Sequence, residues 1–229
     1  MHNGDLVANY PYDESKNGRM QGSYSKSPDD DTFKYLARSY SQDNEKMYRQ
    51  EKECFDSNFN QGITNGAHWY SVAGGMQDFN YLATNAFEIT LELGCMKYPP
   101  TERLPSIWRD NKQSMIDFMW LTHMGVKGIV TDADTGAPIE GAIIKIVDAS
   151  TNAPIAHDVL SVEGGDYFRV LAPGKSYQIT ASVDGYGSKT CGFKVEHEPP
   201  LQMANIINFS MKKGGESRAT CDADHNDHM

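Results

Sequence analysis

The side chains best able to do chemistry in this 229-residue chain are carboxylates and histidines, and their spacing narrows what they can do. Glu88 and Glu92 share parity in the apolar run FEITLEL, residues 87–93, which reads as a buried strand. A carboxylate at the end of such a strand is costly to bury unless it has a partner or a task. Two readings stand: a pair of acids on a solvated strand face, or an acid put to work. Just upstream lie the aromatic pair Trp69-Tyr70, a Gly74-Gly75 break and the polar triplet Gln77, Asp78 and Asn80. The histidines make no HxxE pair, since His2, His123, His157 and His197 are followed three positions later by Asp5, Val126, Leu160 and Pro200. Cys54, Cys95, Cys191 and Cys221 show no CxxC spacing, so no zinc-knuckle or redox motif is expected. His225-x-x-His228 with Cys221 has metal-like residue types, but in an acidic tail it reads as noise.

The formal net charge of −10 argues against a non-specific nucleic-acid binder. No apolar run is long enough to span a membrane. The first residues, MHNGDLVANYP, lack the basic flank and apolar core of a signal peptide. The length suits one or two domains.

Elements must hold these groups in place. Residues 1–26 read as irregular. Ser27-Pro28-Asp29-Asp30-Asp31 is a helix start with Ser27 as cap, and Phe33, Leu36, Ala37 and Tyr40 then make one apolar face. Residues 41–61 read as a surface loop, and His68 as surface. The strand of FEITLEL is expected to end at Pro99-Pro100. Pro105 to about His123 reads as an amphipathic helix with Ile107, Trp108, Met115, Ile116 and Met119 on its core side. From Gly125 short β-rich runs alternate with turns such as Asp-Thr-Gly-Ala-Pro, Pro173-Gly174 and Asp184-Gly185, the pattern of a small β-sandwich. The tail from 213 reads as disordered. Asn208-Phe209-Ser210 fits a glycosylation sequon, although an apolar strand is expected to hide it.

GITNG..WY...GGMQDFNYL....FEITLEL.C.KYPP resembles the signature of the regulatory-type zinc metallocarboxypeptidases, the group containing carboxypeptidases D, E, M and N. GVKGIV, GDYFRVLAPG and ITASVDGY resemble the transthyretin-like domain that follows the catalytic domain in that group. The resemblance implies an α/β fold: the C-terminal part of a carboxypeptidase domain over residues 1–124, then an all-β sandwich over 125–212, with a disordered tail at 213–229.

It also implies chemistry. A zinc-bound water attacks the peptide bond while a glutamate takes its proton and later gives it to the leaving amine. By the resemblance Glu92 is that general acid/base and Tyr70 the tyrosine that closes over substrate. HNGDLVANYPYD is similar to the segment usually written HGGDLVANYPYD, which makes His2 a candidate zinc ligand, with Asn3 in place of a glycine. Asp13 and Gln77 match the positions that favour a C-terminal Lys or Arg on peptide substrates. Ala86 stands where the group often has cysteine. The HxxE pair and the carboxylate-binding arginine lie upstream of the matched segment in that group. One of three expected Zn2+ ligands is therefore present, and the expectation is a fragment or short form with little activity alone. An oxidising, secretory or extracellular setting is implied. The alternative is a non-catalytic binding or structural module built on the sandwich.

Overall fold

The computed structural model describes residues 1–18, 20, 22–49, 54 and 58–221. The chain divides into two compact units, Met1–Thr122 and His123–Met229.

The first unit is a three-stranded sheet clasped by helices. Strand β1 (Leu6–Tyr10) is central, with β2 (Ile63–Asn65) parallel on one side and β3 (Thr90–Leu93) antiparallel on the other. The expectation that residues 1–26 are irregular is therefore corrected. LVANY is too short and too uniformly apolar to show an alternating pattern, because both of its faces are covered: Val7 and Ala8 are fully buried. Strand β3 starts three residues later than the apolar run suggests and ends at Leu93, well before Pro99-Pro100.

Helix α1 (Asp30–Asp43) forms where the 3.6-residue periodicity places it, with Phe33, Leu36, Ala37 and Tyr40 buried. Asp29 rather than Ser27 occupies the cap position, and the Ser27 hydroxyl makes no capping bond. The expected surface loop at 41–61 contains a short helix α2 (Glu45–Arg49), whose Met47 is buried. Two further helices follow, α3 (Gly66–Trp69) and α4 (Met76–Ala83). Phe33 packs against Tyr81 of α4 with ring centroids 4.9 Å apart, and Tyr81 donates its hydroxyl to Asp29 at 2.7 Å. These contacts seat α4 on α1.

Helix α5 (Leu104–Trp120) carries Pro105 in its first turn, as read, but its packed side differs. Trp108 and Met119 are exposed, whereas Asn111 and Ser114 are buried. Asn111 accepts from the Tyr40 hydroxyl and the Asn44 amide, each at 2.9 Å, and donates to the Ile107 carbonyl. A buried amide with its bonds satisfied is compatible with a core position, so counting apolar side chains misplaced this face.

The second unit is all β. The strands are β4 (Val126–Asp132), β5 (Ile143–Asp148), β6 (Ala153–Leu160), β7 (Asp166–Arg169), β8 (Lys175–Ser182), β9 (Lys189–Val195), β10 (Asn205–Ile206), β11 (Phe209–Met211) and β12 (Arg218–Ala219). One sheet runs β6-β5-β8-β9; the other runs β10-β4-β11-β12, with β7 paired to β4. Alternate residues of the two sheets, such as Ile144, Ile146 and Ile179 against Val130, Tyr167 and Phe209, are buried.

Disorder from residue 213 is corrected for the described part. Arg218–Ala219 pairs with β11, and Cys221 forms a disulfide with Cys191 of β9. Ladder bonds and a covalent link hold a segment whose polar composition alone suggests no order. His225 and His228 lie outside the described residues. A second disulfide joins Cys54 to Cys95. No helix among the described residues is long and apolar enough to cross a membrane.

Candidate functional site

Asp13 follows β1, one turn of loop beyond the sheet. Its backbone N–H donates to both carboxylate oxygens of Asp78, at 3.0 and 2.9 Å, and the Glu14 N–H adds a third bond at 3.3 Å. The first turn of α4 thereby holds the Asp13 loop. Gln77, the neighbour of Asp78 on α4, donates its amide to the Asp13 carboxylate at 3.0 Å. Both side chains are almost completely buried, at 8% and 2% exposure.

The room for Asp13 depends on missing atoms elsewhere. A Cβ at Gly66, the first residue of α3, would lie 1.7 Å from the Asp13 carboxylate. The Thr64-Asn65-Gly66 turn is fixed by Asn65, whose carboxamide accepts from the Ser25 and His68 N–H groups and donates to the Tyr12 and Ser25 carbonyls. That one side chain ties the loop after β1 to α3. The loop carrying Tyr70 is stitched to the same place, since the Val72 N–H donates to the Asp13 carbonyl and the Ser15 N–H to the Ser71 hydroxyl.

The resulting cluster is rich in acceptors and, among the described residues, holds no cation against Asp13. The carbonyl oxygen of the Gln77 side chain is buried without a hydrogen-bond partner. Burial, reinforced by the Asp78 carboxylate, pushes Asp13 up to about 7. Asp78 is itself raised by burial, and less so because its carboxylate accepts backbone N–H bonds.

Glu92 lies in β3, opposite Val7, and alongside His2 in a parallel bridge. The His2 N–H donates to Leu91 and its carbonyl accepts from Leu93, so the backbone of position 2 brackets Glu92. The imidazole Nδ1 is 3.8 Å from the Glu92 carboxylate and 3.0 Å from the Asn3 carbonyl. Glu92 is buried, which rules out the solvated strand face, and burial raises its pKa while His2 pulls it back. Gly4 adjoins it with a positive φ of 152°, and a Cβ there would lie 2.7 Å from a Glu92 oxygen. Asn3, the departure from the family's glycine, donates its amide to the Met96 carbonyl beyond β3.

Tyr70 feels the charges of both acids. It is 42% exposed, its ring sits edge-on to Trp69 at 4.9 Å, and its N–H caps α3 on the Gly66 carbonyl. Burial first, then the charges of Glu92 and Asp13, hold its hydroxyl protonated to higher pH than an ordinary tyrosine. A rim phenol that responds to both acids suits a group closing over a ligand between them. His68 is on the surface, as expected.

Four of the five residues singled out from the sequence form two pairs, Asp13 with Gln77 and Glu92 with His2, and the charges of Glu92 and Asp13 both act on the Tyr70 hydroxyl. Sequence reasoning missed Asp78 as the support of Asp13, and missed Gly4 and Gly66 as the space for the carboxylates. The signal for Asp78 was present in the polar triplet, without its partner.

The donor set does not by itself make a zinc site. His2 supplies one candidate nitrogen, and among the described residues no group of three or more His, Cys, Asp or Glu side chains is placed to hold a metal ion. A catalytic zinc needs about three protein ligands.

Comparison with known proteins bears on the family of the chain. The zinc carboxypeptidase family profile matches residues 1–114, and the carboxypeptidase regulatory-like domain profile matches residues 125–212. Carboxypeptidase E of Caenorhabditis elegans is 44% identical over 94% of this chain and 47% of its own length. Carboxypeptidase D of Mus musculus is 45% identical over 97% of this chain and 16% of its own length. The carboxypeptidase N catalytic chain of Mus musculus is 45% identical over 93% of this chain and 44% of its own length. The chain thus spans about half the length of two of these relatives and far less of the third. Two profiles in tandem, and relatives aligned across nearly all of the sequence, mean that this chain belongs to the zinc carboxypeptidase family, as peptidase-domain sequence joined to a regulatory-like domain.

Proposed function

We propose that the chain is the recognition and proton-handling part of a metallocarboxypeptidase that removes C-terminal Lys or Arg from peptides. The observation that carries this is the Asp13–Gln77 pair: two buried, hydrogen-bonded side chains that leave a carbonyl oxygen without a partner. Buried acceptors without donors are expensive, so the pocket is complementary to a group bringing several N–H donors and a positive charge. An ammonium or guanidinium at the end of an apolar stem fits that description. Glu92 is the general acid/base, its burial favouring the protonated form it needs to donate to a leaving amine. Tyr70 covers the bound terminus.

Zinc, where the whole protein binds it, would supply the Lewis acid and lower the pKa of water. His2 is the candidate ligand among the described residues, and its Nδ1 contact with the Asn3 carbonyl orients the ring. The chain alone is accordingly inactive or nearly so in this reading. The two disulfides support a secretory or extracellular setting.

The test is release of arginine from a C-terminal Arg peptide with added zinc, on this chain and on a whole protein containing it, each with and without Glu92→Gln. Loss of release in the Glu92→Gln whole protein is the expected result. Full release by that variant would overturn the role of Glu92.

A further inference from the structure

We propose that Asn208 carries an N-linked glycan, and that the glycan shields an apolar patch on the outer face of the second unit. Asn208-Phe209-Ser210 is the single Asn-x-Ser/Thr sequence in the chain. It lies at the junction of β10 and β11, where exposure alternates. Ile207, Phe209 and Met211 are buried, while on the alternate positions Ile206 is exposed and Asn208 and Ser210 are half-buried. The sequon is thus on the solvent side of its strand, contrary to the expectation that an apolar strand hides it.

The carboxamide is used in a way that leaves its nitrogen available. Its oxygen accepts from the Ile129 N–H at 3.0 Å. The backbone of Asn208 is held separately by Thr220, whose hydroxyl accepts its N–H and whose N–H donates to its carbonyl. Among the described residues the side-chain nitrogen has no partner. A sugar on Nδ2 leaves the amide oxygen in place, so the bond to Ile129 survives attachment. In the transfer, the bond from Nδ2 to the anomeric carbon of an N-acetylhexosamine forms. The bond from that carbon to a lipid-linked pyrophosphate breaks, the pyrophosphate leaves with the lipid, and one amide proton is lost to base.

The surroundings give the glycan a task. Ile206 and Phe168 both pair with Lys127 of β4 and are 64% and 57% exposed, and Ile129, which bonds Asn208, is 42% exposed. Neighbouring apolar side chains turned to water on one sheet face call for a cover. A glycan rooted beside Ile129 supplies one. Two disulfides, one of them in this same unit, independently indicate folding in an oxidising compartment, where such sequons are modified. The inference depends on that compartment and not on the pocket at Asp13, so the two readings fail separately.

The experiment expresses the full chain behind a cleavable secretion leader in insect cells and reads cells and medium together, so that retention does not hide the result. Peptide-N-glycosidase digestion in heavy-oxygen water is expected to raise the gel mobility and to mark position 208 with the isotope. Ser210→Thr should keep the modification; Ser210→Ala, which leaves Asn208 untouched, should abolish it. A disulfide-linked wild-type chain with unmodified Asn208 overturns the proposal. For the shielding, native removal of the glycan should increase binding of an apolar fluorescent dye several-fold, and Phe168→Ser should blunt that increase. Unchanged dye binding on removal would refute the shielding.

Discussion

Asp13 in the first unit and Asp132 in the second are both nearly buried acids, at 8% and 9% exposure, yet their surroundings push them in opposite directions. Asp132 ends β4 in a tight turn, and its oxygens accept from the Asp134 N–H, the Thr135 N–H and hydroxyl, and the Tyr186 hydroxyl. Those bonds, the one from Tyr186 foremost, hold it well below the usual range, to about 2. Asp13 has only the Gln77 and Asn9 side-chain amides on its carboxylate; burial, then the nearby Asp78 carboxylate, outweigh them and push it up to about 7. One acid is spent on the fold, and the other is kept short of partners. The difference makes Asp13 the candidate for a ligand: an under-satisfied buried acid stays so at a cost to stability, and is useful where binding offsets that cost.

Replacing Asp13 is the strongest way to break this contrast. Asp13→Asn should weaken binding of a C-terminal Arg peptide by about a hundredfold or more, as loss of a buried charge partner does. The same change should stabilise the fold at pH 8. The native carboxyl titrates near 7 and an unfolded one near 3.8, so between those values the native state holds a proton the unfolded state lacks. Its stabilising contribution is therefore complete below about pH 4 and disappears as pH rises through about 7. The gain from Asn should be on the order of a few kcal/mol at pH 8 and fade towards pH 4. Denaturant melts across pH check it, and a destabilised variant at pH 8 would contradict the account.

The second unit should respond in the contrary manner, since its order is local and covalent. The Cys191–Cys221 bridge closes a sequence separation of 30 residues and ties the last described segment to β9. Cys191→Ser should cost about 3–4 kcal/mol if loop entropy dominates. Peptide binding in the first unit should be unaffected. Calorimetry of wild type and Cys191→Ser, paired with binding titrations, reads both.

Asp132→Asn should lower the unfolding midpoint of the second unit by a smaller amount. Its depressed pKa means its contribution is present above about pH 4 and lost as pH falls through about 2, the reverse of the Asp13 window. Acid unfolding followed by amide hydrogen exchange in β4, compared in wild type and variant, would show whether the windows are opposed.

How much of this could be read in advance depended on whether the information is local. Helix α1 was legible because Phe33, Leu36, Ala37 and Tyr40 repeat at helical spacing along one element. The packed side of α5 was not, because Asn111 is buried by bonds to Tyr40 and Asn44, residues about 70 positions away. Strand β1 was missed because full burial on both faces erases the alternation that identifies a strand. At the site, Asp13, Gln77, Tyr70, Glu92 and His2 were legible through a family resemblance, which preserves residue type and order. Their supports were not. Asp78 acts on a loop 65 positions earlier, and Gly66 matters only because Asp13 folds against it. A glycine whose purpose is to vacate space has no sequence pattern of its own.

The smallest expected effect is also the one that best sharpens the contrast between groups kept for the fold and groups kept for a ligand. Tyr70 is a rim residue whose ring packs edge-on against Trp69 and whose backbone caps α3, and neither contact uses the hydroxyl. Tyr70→Phe keeps both, so folding stability at neutral pH should change by less than about 0.5 kcal/mol. What changes is the alkaline limb. The raised pKa of the phenol means the native state keeps a proton that the unfolded state loses above about pH 10, so its contribution fades as pH rises. Without the phenol that slope should flatten. Peptide affinity should fall several-fold, the scale of one lost hydrogen bond. A large loss of neutral-pH stability would instead mean that the hydroxyl is part of the packing, and Tyr70 would then resemble Tyr81, whose hydroxyl is bonded to Asp29 in the core.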